Sequence, residues 1–302
     1  IIAASCGFAL ICSAIQVFQT AETGYFYNDS LSIHIGQQSI YTSLFVNAAI
    51  FILGHHLHKL PRYTSSFWWH VLLLVFLFII SYLLASRNMM LILYGSIFIL
   101  ACLHIIKKKK YIQGFSLIGF LIAAFLIVYS FFPKTINRFK ELGVTEYDYS
   151  SRATESHYDG EFSADQWNGA NFRLAAWSCG WQLFKEQPLL GTGIGDKRTE
   201  LYRVYAERNF QFAIDTKKNV HNNYLDILYS TGIIGLLLFL MGWIIMPLSH
   251  YIKHGDRTAL LIHTCLIFAM ITEVYFDRSL GPFSLALWTC LLKSGAATNP
   301  KS

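Results

Sequence analysis

Apolar runs of about twenty residues recur along this chain, and no other feature restricts its folding as much. They cover about 1–20, 39–58, 67–86, 88–106, 111–132, 223–248, 258–275 and 280–293. A helix of about 20 apolar residues, at roughly 1.5 Å per residue, matches the ~30 Å hydrocarbon layer of a bilayer. One such run can be a buried core helix, but a series of separate runs reads as membrane spans. Only 14% of the residues are charged, against about a quarter in soluble domains. The expected fold is therefore an all-α polytopic membrane protein with about eight transmembrane helices and one long, partly helical periplasmic loop. Residues 1–132 hold the first five helices, 133–222 the loop, and 223–302 the last three.

The chain starts at Ile1 and is apolar from its first residue. It lacks the basic flank and small-residue cleavage site of a signal peptide. The expectation is a fragment or trimmed form of a longer protein that begins in or just before a membrane helix. Cys6, Cys12, Cys102, Cys179, Cys265 and Cys290 are scattered, with no CxxC pair. This pattern supports neither a disulfide framework nor a zinc knuckle.

A net charge of +6 would suggest nucleic acid if the chain were soluble. The positions of the charges point elsewhere. Lys59 and Arg62, the run Lys107–Lys110, Lys253 and Arg257, and Lys293 and Lys301 fall on the same side when the spans alternate. By the positive-inside rule that side is the cytoplasm. The opposite, periplasmic side receives the 21–38 loop, the Ser86-Arg87-Asn88 turn, the 133–222 segment and the turn at 276–281.

The long loop is rich in Tyr, Ser, Glu and Asp through Asp165, which predicts irregular structure. The stretch NFRLAAWSCGWQLFKEQP predicts a helix over 171–186 lying on the membrane surface or on the transmembrane bundle. Asn171 suits the N-cap. Leu174, Trp177, Trp181 and Phe184 recur at helical spacing, and Pro188 marks the stop. Arg173 falls in the first turn, where the helix dipole disfavours a cation, so it calls for an anionic partner. In PLLGTGIGDKRTE, Gly191, Gly193 and Gly195 alternate. Their spacing and position after a helix exclude a dinucleotide fingerprint. A turn is the expectation, with close backbone approach to a substrate as the alternative.

The chemistry-bearing residues gather on the periplasmic side. His221, at the start of the sixth span, is either a helix-end interfacial residue or a general base, since a neutral imidazole suits that task. Asn219, Asn222 and Asn223 are either caps or hydrogen-bond donors to a sugar or phosphate. Arg87 and Arg173 are either snorkelling interface residues or bidentate anion clamps. Glu273, Asp277 and Arg278 form an interface ion pair, or Asp277 orients a histidine or arginine. His34 and Tyr41 flank the outer end of the second span. His55, His56 and His58 read as solvated interface residues, and His157, Asp159, Glu161 and Asp165 as a solvated loop without a calcium-loop pattern. No divalent-metal site is evident, which points to metal-independent chemistry without a cofactor. Span interiors nearly free of charge disfavour a transporter of lipid-linked glycan, which places ionisable groups near the midplane.

Three segments carry a resemblance: LLASRN, NFRLAAWSCGWQLFKEQPLLGTGIG and VHNNYLDILYSTGIIGLLLFL. Their order and content resemble the O-antigen ligase and O-antigen polymerase superfamily of bacterial membrane glycan transferases, over roughly residues 34–290. Members of that family have about ten to twelve spans, so N-terminal helices are expected to be missing here. The resemblance implies an inner-membrane enzyme that moves a glycan from undecaprenyl pyrophosphate to an acceptor hydroxyl at the periplasmic face. It implies Arg87 and Arg173 as pyrophosphate-binding residues and His221 as the base that activates the acceptor. Asp277 matches a late acidic residue, and Arg278, Asn222, Asn223 and Tyr224 stand as supporting residues. The partners implied are the lipid-linked donor, the acceptor and membrane lipids, with no nucleic acid. Ligase, with lipid A–core as acceptor, is the first reading. Polymerase and protein O-oligosaccharyltransferase share the same motifs.

Overall fold

The computed structural model describes residues 1–106, 111–131, 143–154 and 166–277, with the single positions 109, 282 and 286. Apart from positions 282 and 286, the expected eighth span lies outside the described residues, as do Arg278 and the polar stretch 155–165. Every regular element among the described residues is helical. The chain divides into two compact units, Ile1–Ile136 with Leu261–Leu266, and Asn137–Leu260 with Ile267–Ser302.

The first unit contains α1 (Ile2–Thr20), α2 (Ser39–Leu57), α3 (Ser65–Leu83), α4 (Arg87–Ile106) and α5 (Tyr111–Phe131). α1 to α3 are each long and apolar enough to cross a membrane. Local chemistry sets their ends. Ala21 closes α1 in the left-handed conformation and returns its N–H to the Val17 carbonyl. Thr64 caps α3 by accepting from the Phe67 N–H at 3.2 Å. Large apolar side chains such as Trp68, Trp69, Leu72, Phe98 and Phe125 point outward, the reverse of a water-soluble bundle. The buried polar Asn47 of α2 donates from Nδ2 to the Met89 carbonyl of α4 at 2.9 Å. A polar group inside an apolar bundle needs such a partner, and the bond ties α2 to α4.

The second unit contains α6 (Asn171–Glu186), α7 (Lys197–Glu207), α8 (Gln211–Asp215) and α9 (Asn223–Phe239). α9 continues through a π-helical stretch, Leu240–Ile245, into Met246–His254. The whole run Asn223–His254 is the fourth helix able to cross a membrane. α10 (Arg257–Ala269) follows and is shorter than the expected span over 258–275. Its backbone leaves the helix in a turn at 270–273.

α6 has the predicted limits, but its cap and its buried face differ from expectation. Asn171 is the first helical residue. The capping oxygen belongs to Asn168, whose Oδ1 accepts from the N–H groups of Ala170 and Asn171 at 2.6 and 3.0 Å. The buried face is Phe172, Ala175, Ala176, Cys179, Gly180 and Leu183. Leu174 and Trp181 are exposed, and Trp177 and Phe184 are half-buried. At Gly180 the absence of a side chain lets α6 lie close against Leu225 of α9, whereas Trp177 and Phe184 pack at the margin of the core. α7 and α8 were not foreseen, although Leu201, Val204 and Tyr205 carry the helical period. Their inner faces join Trp167, Phe172, Phe210 and Val220 in an aromatic-rich core. Trp167 stacks on Phe212 at a ring separation of 5.6 Å.

Candidate active site

His221 lies two residues before α9, and its backbone is held by both neighbouring segments. Asn222 is the true N-cap. Its Oδ1 accepts from the N–H groups of Tyr224 and Leu225 at 3.0 and 3.1 Å. Asn219 accepts from the His221 N–H at 2.9 Å and donates from Nδ2 to Asp277 at 2.9 Å. Asn223 donates its N–H to the Met270 carbonyl at 2.8 Å and accepts from the Phe276 N–H at 3.2 Å. Tyr224 donates its hydroxyl to the Ile267 carbonyl at 2.7 Å. All three asparagines therefore have structural bonds. Asn219 and Asn223 join the start of α9 to the segment after α10, and Tyr224 joins it to α10 itself. The result is that His221 is held with φ of 47°, a left-handed conformation uncommon for a non-glycine residue.

The ring is oriented by Glu273, not Asp277. His221 Nδ1 lies 3.1 Å from Glu273 Oε2, and Glu273 is only 7% exposed. Burial opposes ionisation of Glu273. The His221 ring, the Arg173 charge and the Val274 N–H outweigh it and hold the carboxyl below its ordinary value. An ionised carboxylate only accepts hydrogen bonds, so Nδ1 carries a proton on the side of Glu273, and in the neutral form of such a ring Nε2 is the acceptor. The same tautomer logic operates in hydrolase triads. The edge of the His221 ring also meets Phe172 of α6, with centroids 5.6 Å apart.

Arg173 is fixed against the same turn. Its Nε donates to the Thr272 carbonyl at 3.1 Å, and its Nη1 donates to the Gly169 carbonyl. Its charge also favours ionisation of Glu273. Arg173, His221 and Glu273 come together within the second unit. Arg87 opens α4 in the first unit.

Asp277 has a different task. Lys197 Nζ lies 2.6 Å from Asp226 Oδ2 and 2.5 Å from Asp277 Oδ1. Tyr229 donates to the other Asp226 oxygen at 2.9 Å. Asp277 therefore supports His221 at one remove, through Asn219, and the glycine turn delivers Lys197 to it. Glu273 was seen in sequence only as half of an interface ion pair. Two acids four residues apart at a helix end offered no signal to tell which one meets the histidine.

Beside Asn222 an apolar groove of about 450 Å³ is lined by Trp177, Trp181, Tyr224, Leu225 and Leu236. The arrangement combines an oriented imidazole, a cation and an adjoining apolar surface. Against known proteins, the family model described as O-antigen ligase matches residues 72–240, more than half of the chain. No curated protein sequence matches.

Proposed function

The chain belongs to the O-antigen ligase family, a family of multi-pass membrane proteins with glycosyltransferase activity of ligase or polymerase type, and from that premise we propose that it transfers a glycan from undecaprenyl pyrophosphate to a hydroxyl of lipid A–core. In this reading it crosses the inner membrane about eight times and the reaction occurs at the periplasmic face. The acceptor hydroxyl loses its proton to His221 Nε2 as its oxygen bonds to the anomeric carbon. The bond from that carbon to the pyrophosphate oxygen breaks, and the lipid pyrophosphate leaves with the electron pair.

Arg173 stabilises the charge that develops on the leaving group, a form of electrostatic catalysis that needs no metal. Arg87 shares this role on the strength of its motif. Glu273 fixes the ring tautomer and offsets the positive charge that forms on it. The groove beside Asn222 takes the first isoprene units of the donor. The observation that carries the reading is the His221–Glu273 pair at 3.1 Å beside Arg173.

The test is His221→Ala in the full-length protein. We expect normal insertion and loss of glycan transfer, by about the 10²–10⁴-fold that a positioned base supplies. Normal transfer by this variant would remove the base from the mechanism. Deleting the gene then separates the acceptors. Loss of all capped lipopolysaccharide indicates a ligase, and retention of single-repeat caps indicates a polymerase.

A further inference from the structure

α9 is interrupted at Gly232, where φ is 67° and ψ is −171°. The loop after α6 fills the interruption. Thr192 N–H donates to the Tyr229 carbonyl and Gly193 N–H to the Ser230 carbonyl, both at 2.9 Å. In the other direction, Ile233 N–H donates to the Pro188 carbonyl at 2.9 Å. The two backbones touch so closely that a Cβ on Gly232 would overlap the Leu189 carbonyl, and one on Gly191 would come within 2.5 Å of the Ser230–Thr231 peptide.

These bonds fix the loop's depth. The run Asn223–His254 has 32 residues, about 48 Å at ~1.5 Å per residue, which exceeds a hydrocarbon layer of ~30 Å. Its apolar part ends at Leu248, before Ser249 and His250. Counting back about 20 residues, one hydrocarbon thickness, reaches Tyr229. Gly232 thus falls inside the hydrocarbon, and Pro188–Gly193 is bonded to the helix at that level. Irregular backbone is tolerated at such depth where it packs on protein, and here the loop backbone docks on α9 through the Thr192 and Gly193 N–H groups and the Pro188 carbonyl, while the Gly191 N–H returns to the Gln187 carbonyl at 3.1 Å.

The side chains agree with the backbone. PLLGTGIG carries no charge between Pro188 and Gly195. Leu189, Leu190 and Ile194 are 63%, 73% and 71% exposed. On α9, Ile234, Leu237 and Leu238 are exposed apolar side chains as well, just beyond the point where the loop backbone bonds to the helix. An apolar surface continuous with the lipid face of a span is itself a lipid face, whereas in water it would be an aggregation liability.

We propose that Pro188–Ile194 is a re-entrant loop immersed in the edge of the bilayer, with Leu189, Leu190 and Ile194 in contact with lipid acyl chains. The loop then leads directly into Lys197, so membrane immersion sets the position of the network that supports His221. The inference rests on the loop's bonds to α9 and is independent of the catalytic reading.

The test replaces Leu190 with p-benzoyl-phenylalanine in the full chain, irradiates native membranes and measures the mass of the purified protein. Leu238 on α9 serves as the lipid-facing control and Thr199, on the first turns of α7, as the exposed control. A phospholipid adduct at position 190, matching that at 238 and absent at 199, is the expected result. Position 190 behaving like 199, or cross-linking to a protein chain instead, overturns the proposal. Ile194 carries the same probe if the 190 variant does not accumulate, with the same two outcomes.

Discussion

His221 is constrained twice, through its ring and through its backbone, and the two constraints separate experimentally. The backbone φ of 47° costs an L-residue about 1–2 kcal/mol that glycine does not incur. His221→Gly should therefore abolish transfer as His221→Ala does, yet be more thermally stable than the alanine variant by roughly that 1–2 kcal/mol. Equal melting temperatures would mean that the left-handed conformation carries no strain. The ring constraint is tested at Glu273. Glu273→Gln keeps the shape but lets Nδ1 lose its fixed proton, so transfer should fall toward the 10²–10⁴-fold loss of a missing base. The carboxyl is held below its ordinary value of 4.5. A group depressed in this way adds stability above the unfolded value and loses it as pH falls through the folded one. The stability gap between parent and Glu273→Gln should thus be full at neutral pH and close on acidification, and a gap that stays constant into that range would contradict the pairing. His221 and Arg173 were singled out in the sequence by their motifs, and the structure brings them to one turn. Glu273 was not legible there, because its pairing with His221 spans 52 positions and depends on how the turn after α10 folds back.

Elements show the same division between what period reveals and what packing decides. α6 was legible to the residue at both ends, since its apolar spacing and Pro188 bound it. Its orientation was not. Apolar side chains occur on two opposite faces, and hydrophobicity favours the bulky Trp177–Trp181 side, whereas close approach to α9 selects Ala175, Ala176 and Gly180. At Gly180 even a methyl group would come within 3.0 to 3.2 Å of Leu225 and Val220. The glycine turn was read correctly as a turn, but the backbone it approaches is that of α9. Gly232→Ala tests that contact. The substitution meets both a left-handed φ of 67° and the Leu189 carbonyl, so it should destabilise the protein by at least about 1–3 kcal/mol. Gly242, with open space around it, is the control, where alanine should be neutral or mildly favourable in a helix. If both substitutions have the same small effect in a thermal-shift measurement, the loop does not dock in the interruption of α9.

At the scale of the whole molecule, the proposed orientation in the membrane rests on the distribution of charge. The basic clusters at Lys59–Arg62, Lys107–Lys110 and Lys253–Arg257 alternate with the segment that bears Arg173 and His221. Four helices long and apolar enough to cross a membrane were legible because a twenty-residue apolar run has few other solutions. The division into two units was not, since Leu261–Leu266 of α10 joins the first unit while its flanks join the second. Such a division follows from side-chain contacts, not from hydropathy. Orientation is tested with paired reporters, because green fluorescent protein folds in the cytoplasm and alkaline phosphatase is active only in the periplasm. A phosphatase fused within 143–154 should be active, and the fluorescent protein there dark. Fusions after Arg62 and after Lys253 should give the reverse. An active phosphatase after Arg62 would invert the orientation and place His221 in the cytoplasm. A base there would not meet a donor presented at the periplasmic face, so the lipid-linked transfer reading would fall with the topology.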